Sequence, residues 1–106
     1  MIGLLLAAAA LQADMTEILG VGNHSCGAWS MAAEGRTGAR AARSEYIGWL
    51  MGFLSGVNST PAYRELAIAD GQAYTAWIDG YCGDHPLDTV YVAAATLVNE
   101  LIDREG

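Results

Sequence analysis

Two cysteines and two histidines are the residues of this chain whose types and spacing could support chemistry. His24 stands two positions before Cys26, and Cys82 stands three positions before His85. Two thiolates and two imidazoles form a ligand set that zinc accepts in tetrahedral geometry. The alternative is a disulfide between the two cysteines, with the two histidines as nearby polar residues.

The spacing favours the disulfide over a zinc site. Zinc motifs usually begin with Cys-x-x-Cys, whereas His-x-Cys is a poorer chelate. A bridge from Cys26 to Cys82 would close a loop of about 57 residues and contribute roughly 4 kcal/mol in the chain-entropy model. A nucleophilic pair of Cys82 and His85 is a further alternative, but Gly83 and Pro86 put these residues in a turn. We therefore predict a structural disulfide, with no metal and no cofactor.

No pattern in the sequence indicates an enzyme. Neither G-x-S-x-G nor a P-loop occurs. Asp79, Asp84 and Asp88 lie close together in sequence, but helix caps and solvated loop ends account for such carboxylates without catalysis. We predict a non-catalytic protein. A metal-binding protein or an enzyme that uses His24 and His85 is the weaker alternative.

The first thirteen residues are typical of a secretory signal peptide. MIGLLLAAAALQA is a short apolar run that ends in small residues, and the polar DMTE follows it. The n-region carries no Lys or Arg, and the alternative is a buried N-terminal helix. The run is too short to span a membrane, which takes about 20 apolar residues. We therefore predict a signal peptide at 1–13, a single domain at 14–106 and export to an oxidising compartment.

The charge balance excludes two classes of partner. The chain has 12 Asp and Glu against 5 Arg and no Lys, for a formal net charge of −7. A nucleic-acid binder needs a basic surface that neutralises phosphates. An anionic membrane surface would repel this chain for the same reason. We expect no nucleic acid, and no membrane after removal of the signal.

Apolar residues at helical spacing predict an all-α domain, a small bundle of about four helices. We expect a short helix at 28–35, main helices at 37–57, 71–82 and 89–105, and another short helix at 61–69. Asp70 and Asp88 are suitable N-caps, and Gly83 is a suitable C-cap. The aromatic residues expected in the core are Trp29, Trp49, Phe53, Trp77 and Tyr81.

Three glycines recur at every fourth position in YIGWLMGFLSG (46–56). This spacing places Gly48, Gly52 and Gly56 on one helical face, where each costs about 0.5–1 kcal/mol relative to Ala. A row without side chains lets another helix approach closely. We predict that a second helix of the same domain packs on this face and that Gly52→Leu unfolds the domain. An exposed face would instead be a candidate binding groove.

Three stretches resemble known small exported helical proteins of Gram-negative bacteria. They are CGAW (26–29), GWLMGFLSGVN (48–58) and AWIDGYCGDHPLDTVYVAAATLVNEL (76–101). The pattern is similar to the HdeA/HdeB acid-stress chaperones and to the Rap/Tai-type immunity proteins of type VI secretion. The resemblance implies an HdeA-like fold, a periplasmic location and a bridge between Cys26 and Cys82. HdeA-type chaperones tend to be rich in Lys, and this chain has none.

Two functions are consistent with these features. The first is a protein-binding domain of immunity or accessory type, whose acidic surface meets a basic partner protein. The second is an acid-stress chaperone, because neutralised carboxylates can loosen a small acidic domain and expose apolar surface. The sequence does not identify the partner and leaves a homodimer open.

Overall fold

The computed structural model describes residues 17–35, 38–61 and 70–105. The predicted signal peptide and nearly all of the predicted short helix at 61–69 lie outside the described residues. Within them a 3-10 turn at Gly20–Asn23 precedes four α-helices, and their only β pairing is an isolated bridge between Ser25 and Thr89. The prediction of an all-α bundle is confirmed. The helices are α1 (Cys26–Ala33), α2 (Ala39–Ser59), α3 (Gly71–Asp84) and α4 (Val90–Glu105).

One core joins the four helices. A disulfide between Cys26 and Cys82 links the first residue of α1 to the C-terminal part of α3, as predicted, and both cysteines are fully buried. Trp29, Leu50 and Ile78 are also fully buried. The central part of the bundle is therefore a cross-linked apolar cluster with contributions from every helix.

Of the three predicted capping residues at the ends of α3 and α4, one caps its helix and two do not. Asp70 caps α3 as predicted, because its side chain accepts a hydrogen bond from the Ala73 amide. Gly83 is not the C-cap, since α3 continues to Asp84 before it ends. Asp88 is not the N-cap of α4, where the Thr89 hydroxyl instead accepts from a backbone amide of the first turn. Threonine supplies the same cap chemistry one position later.

Helix α2 buries one apolar face. Leu50 and Leu54 are buried, and Ile47 and Met51 are half-buried beside them. The predicted core aromatics fall into two groups. Trp29 is fully buried, whereas the other four rings are half-buried at the edge of the core, namely Trp49, Phe53, Trp77 and Tyr81.

The prediction that a second helix packs on the glycine face of α2 is wrong for the described part of the chain. Gly48, Gly52 and Gly56 are exposed, and a Cβ added to any of them would meet no atom within 4 Å. The buried residues of α2 include Tyr46 and Leu50. Gly48 follows Tyr46 by two residues, a rotation of about 200° around a helix, so the glycines face away from the core.

Close packing requires glycine at two other positions. A Cβ on Gly22 would overlap the Trp49 indole, which packs against the 3-10 turn and donates its Nε1 hydrogen to the Leu19 carbonyl at 2.9 Å. A Cβ on Gly71 would lie 2.9 Å from the Met51 sulfur, where the first turn of α3 meets α2. These two glycines, rather than the periodic three, allow elements of the domain to approach each other.

In the described ranges, no helix combines the length and the apolarity that crossing a bilayer requires.

A pair of glycine substitutions tests which glycines matter for packing. We expect Gly52→Ala to raise the free energy of unfolding by about 0.5–1 kcal/mol, because alanine loses less backbone entropy in an exposed helix interior. We expect Gly22→Ala to lower it by about 1–3 kcal/mol, because the new methyl displaces the Trp49 ring. Urea denaturation followed by circular dichroism measures both. A destabilised Gly52→Ala variant would contradict the exposure of the glycine face.

Candidate functional site

The Cys26–Cys82 disulfide removes two of the sequence-based alternatives. Both sulfurs are bonded to each other and enclosed in the core, and the described residues include no free cysteine. A disulfide sulfur is neither a thiolate ligand nor a nucleophile. The zinc site with two cysteine ligands and the Cys82–His85 nucleophilic pair are therefore excluded.

The two histidines contact different tyrosines. Nδ1 of His24 lies 2.8 Å from the Tyr46 hydroxyl. Burial, and to a lesser degree the Glu45 charge, raises the pKa of Tyr46, so this phenol stays protonated at neutral pH. His85 is exposed and packs on the Tyr81 ring with 4.3 Å between ring centroids. Among the described residues no group of three or more His, Cys, Asp or Glu side chains is placed to hold a metal ion.

Tyr81 is the centre of a row of rings on one edge of α3. Trp77 stacks on it with centroids 5.5 Å apart, and His85 lies on the other side along the helix. The Tyr81 hydroxyl donates to the Asp88 carboxylate at 2.5 Å. This hydrogen bond, followed by burial, raises the pKa of Tyr81. The row thus connects α3 to the segment before α4.

Asp79 joins three helices, although the sequence indicated only a cap or a solvated carboxylate. Its two oxygens accept hydrogen bonds from the Arg43 guanidinium at 2.8 and 3.0 Å, and one of them also accepts from the Trp29 indole at 2.7 Å. The guanidinium carbon lies 5.1 Å from the centre of a Trp29 ring. A bidentate arginine–carboxylate pair is stronger than a single charged hydrogen bond. Contacts across 36 and 50 positions leave no signal in local sequence patterns.

The surroundings of Asp79 keep its carboxylate ionised. Burial by itself would raise the pKa of Asp79. The hydrogen bonds from Arg43 and Trp29, together with the Arg43 charge, outweigh burial and hold the pKa below its usual value of 3.8. A carboxylate fully engaged with a guanidinium is a poor proton donor and a weak base.

An open cleft of about 730 Å³ lies between α2 and α3. Asp79 and Arg43 form part of its lining, and Ile47 and Met51 give it an apolar side. The Thr75 hydroxyl in the lining donates its hydrogen to the Gly71 carbonyl at 2.7 Å. It is therefore not hydrogen-bonded to a side chain that could act as a general base. The remaining lining residues are Asp70, Gly71, Gln72 and Ala76.

The described surface is strongly acidic. Residues 17–35, 38–61 and 70–105 contain ten carboxylate side chains and three arginines. Arg43 is paired with Asp79, and Arg104 lies 3.7 Å from Glu100. Arg40 is therefore the one described arginine outside these two pairs.

Comparison with protein-family models, with curated proteins and with solved structures gives no match. The resemblance to HdeA-type chaperones and to immunity proteins therefore stays a prediction.

The Asp79 contacts predict a defined dependence of stability on pH. The pKa of Asp79 is lower in the folded state than in the unfolded state, where it is near 3.8. The ionised carboxylate therefore adds to the free energy of unfolding above pH 3.8, and this addition is lost as pH falls through the folded-state pKa. At pH 7 we expect Asp79→Asn to lower the free energy of unfolding by about 1 kcal/mol, because the pair with Arg43 is partly exposed. Asparagine keeps an acceptor for the Trp29 indole.

Urea unfolding of the wild type and of Asp79→Asn from pH 7 down to pH 2 measures this dependence. The difference between them should shrink as pH falls below about 4. Asn99→Asp, at an exposed position of α4, is a control for adding or removing one surface charge. A difference that is constant across the whole range would contradict the assignment to Asp79.

Proposed function

We propose that this chain is a small exported protein-binding domain of immunity or accessory type, which works without catalysis in the periplasm. The observation that carries the proposal is the acidic surface, with ten carboxylates against three arginines in the described residues. Two of those arginines already form ion pairs with carboxylates of the same chain. A surface with this imbalance is suited to a partner protein of opposite charge.

Charge complementarity would act mainly on the rate and selectivity of association. Opposite fields accelerate encounter and reject partners of like charge. A disulfide-linked bundle presents such a surface on an ordered backbone. Little backbone conformational entropy is therefore lost on binding, which improves affinity. Both properties are useful to a small protein whose task is to neutralise or hold another protein.

Affinity purification from a periplasmic extract tests the proposal. The tagged chain should retain a basic protein at about 0.01 M salt, where the Debye screening length is about 30 Å. It should release that protein at about 1 M salt, where the screening length is about 3 Å. A variant with Glu17→Gln, Asp84→Asn and Asp103→Asn should retain less of it, since all three positions are exposed. A matched variant with Gln72→Ala, Asn23→Ala and Asn99→Ala, also exposed, should retain as much as the wild type.

The proposal fails if no protein is retained in repeated purifications, or if retention is equal in both triple variants.

The Asp79 contacts favour acid-stress chaperoning as a second function. Asp79 joins α1, α2 and α3 through Trp29 and Arg43, and its protonation would remove the ion pair. At low pH the remaining cations would also repel one another. The domain would then loosen and expose apolar surface to unfolding proteins.

A light-scattering assay at pH 2–3 separates the two functions. A chaperone would suppress aggregation of an acid-denatured test protein, and it would bind the dye ANS at that pH but not at pH 7. If the chain stays monodisperse, excludes ANS and leaves aggregation unchanged, the chaperone function is wrong and partner binding stands alone.

A further inference from the structure

A row of three aromatic rings runs along α3 to its C-terminal end. Trp77, Tyr81 and His85 pack on one another in that order, with centroid distances of 5.5 and 4.3 Å. Pro86 and Leu87 follow His85 directly in sequence and are exposed, Leu87 by 96%. We call these five residues the aromatic strip. Tryptophan and tyrosine are enriched at the energetic centres of protein interfaces.

The backbone under the exposed end of the strip is held from several sides. The Gly27 amide donates to the Pro86 carbonyl at 3.0 Å, and the Cys26 amide donates to the Asp88 carbonyl at 2.7 Å. The Asp88 amide donates in turn to the His85 carbonyl at 3.1 Å. The disulfide at Cys26 anchors the same region.

Leu87 is therefore an exposed leucine on a fixed backbone. An exposed apolar side chain on a mobile loop would lose conformational entropy when it bound a partner. At Leu87 the backbone has lost most of that entropy on folding, so more of the contact energy would remain for binding. A leucine in this position contributes little to folding, because nearly all of its surface stays in water.

The charge around the strip defines what would bind there. Residues 70–89 contain no Arg or Lys, and His85 is their only histidine. Arg104 lines a small cleft with Trp77 at the other end of the strip, where it lies 3.7 Å from Glu100. Asp84 is exposed beside the strip, and Asp88 accepts from the Tyr81 hydroxyl. Arginine and lysine bind both carboxylates and the faces of tryptophan and tyrosine rings.

We propose that the aromatic strip is the surface that binds the partner protein, and that its occupant is a segment with apolar residues flanked by Arg or Lys. This proposal rests on the proposed function of partner binding. A second copy of this chain is a poor occupant, because two strips with the same acidic flanks would repel each other.

Photocrosslinking in cells that naturally produce the chain tests the location. The probe is p-benzoylphenylalanine, placed in separate variants at Leu87, Leu19, Gln72 and Gly52. All four positions are exposed, and the last three represent the N-terminal end of the described chain, the cleft and the glycine face. We expect one adduct from position 87, with Arg or Lys in the crosslinked segment identified by mass spectrometry, and none from the other three.

Leu19 provides a matched control for affinity, since it is 77% exposed and, like Leu87, lies outside the helices. With the crosslinked protein purified, Leu87→Ala should raise Kd about tenfold or more, as expected for an interface anchor. Leu19→Ala should leave Kd within about twofold, as expected of a residue outside the contact. Circular dichroism should be the same for both variants.

The outcomes separate the two proposals. An adduct from another position but not from 87 would overturn the strip while leaving partner binding intact. An adduct at 87 whose segment lacks Arg and Lys would overturn the stated chemistry of the occupant. No adduct from any of the four positions would overturn the strip, while partner binding would be decided by the affinity purification.

Discussion

The bond between Cys26 and Cys82 is the constraint on which the other contacts depend. It attaches the start of α1 to the end of α3, and both residues lie in the fully buried part of the core. The amides of Cys26 and Val90 then donate to the carbonyls of Asp88 and His24, which brings the start of α4 to the same place. A bridge that closes a loop of this length contributes about 4 kcal/mol, which is a large part of the roughly 5–15 kcal/mol by which a domain is stable.

A polar contact complements the covalent one. Asp79 accepts from Arg43 and Trp29, and these three residues come from three helices. The disulfide is independent of pH in the acid range, whereas the Asp79 contacts weaken as the carboxylate is protonated. The domain therefore has one permanent link and one link that depends on pH. In the proposed partner-binding function the permanent link would be decisive, because it fixes the backbone around Leu87.

Local patterns in the sequence were sufficient for the four described helices, the Asp70 cap and the pairing of the only two cysteines. They were insufficient to predict whether the glycines of α2 are buried. A four-residue period indicates that residues share one face of a helix, but it does not indicate whether that face points to the core or to solvent. The contact of Gly22 with Trp49 and the contact of Asp79 with Arg43 connect distant positions. Such contacts follow from tertiary packing, which no local pattern contains. The exposure of Leu87 was equally unpredictable, because apolar residues next to proline occur in both cores and turns.

The dependence of the fold on the Cys26–Cys82 bond is tested most directly by comparing the urea unfolding of the oxidised chain with that of the fully reduced chain at pH 7. We predict that reduction lowers the free energy of unfolding by about 4 kcal/mol, the value expected for a loop of this length. Intact mass after alkylation should show two free thiols in the reduced sample and none in the oxidised one. Equal stability of the two samples would contradict the dependence of the fold on the Cys26–Cys82 bond.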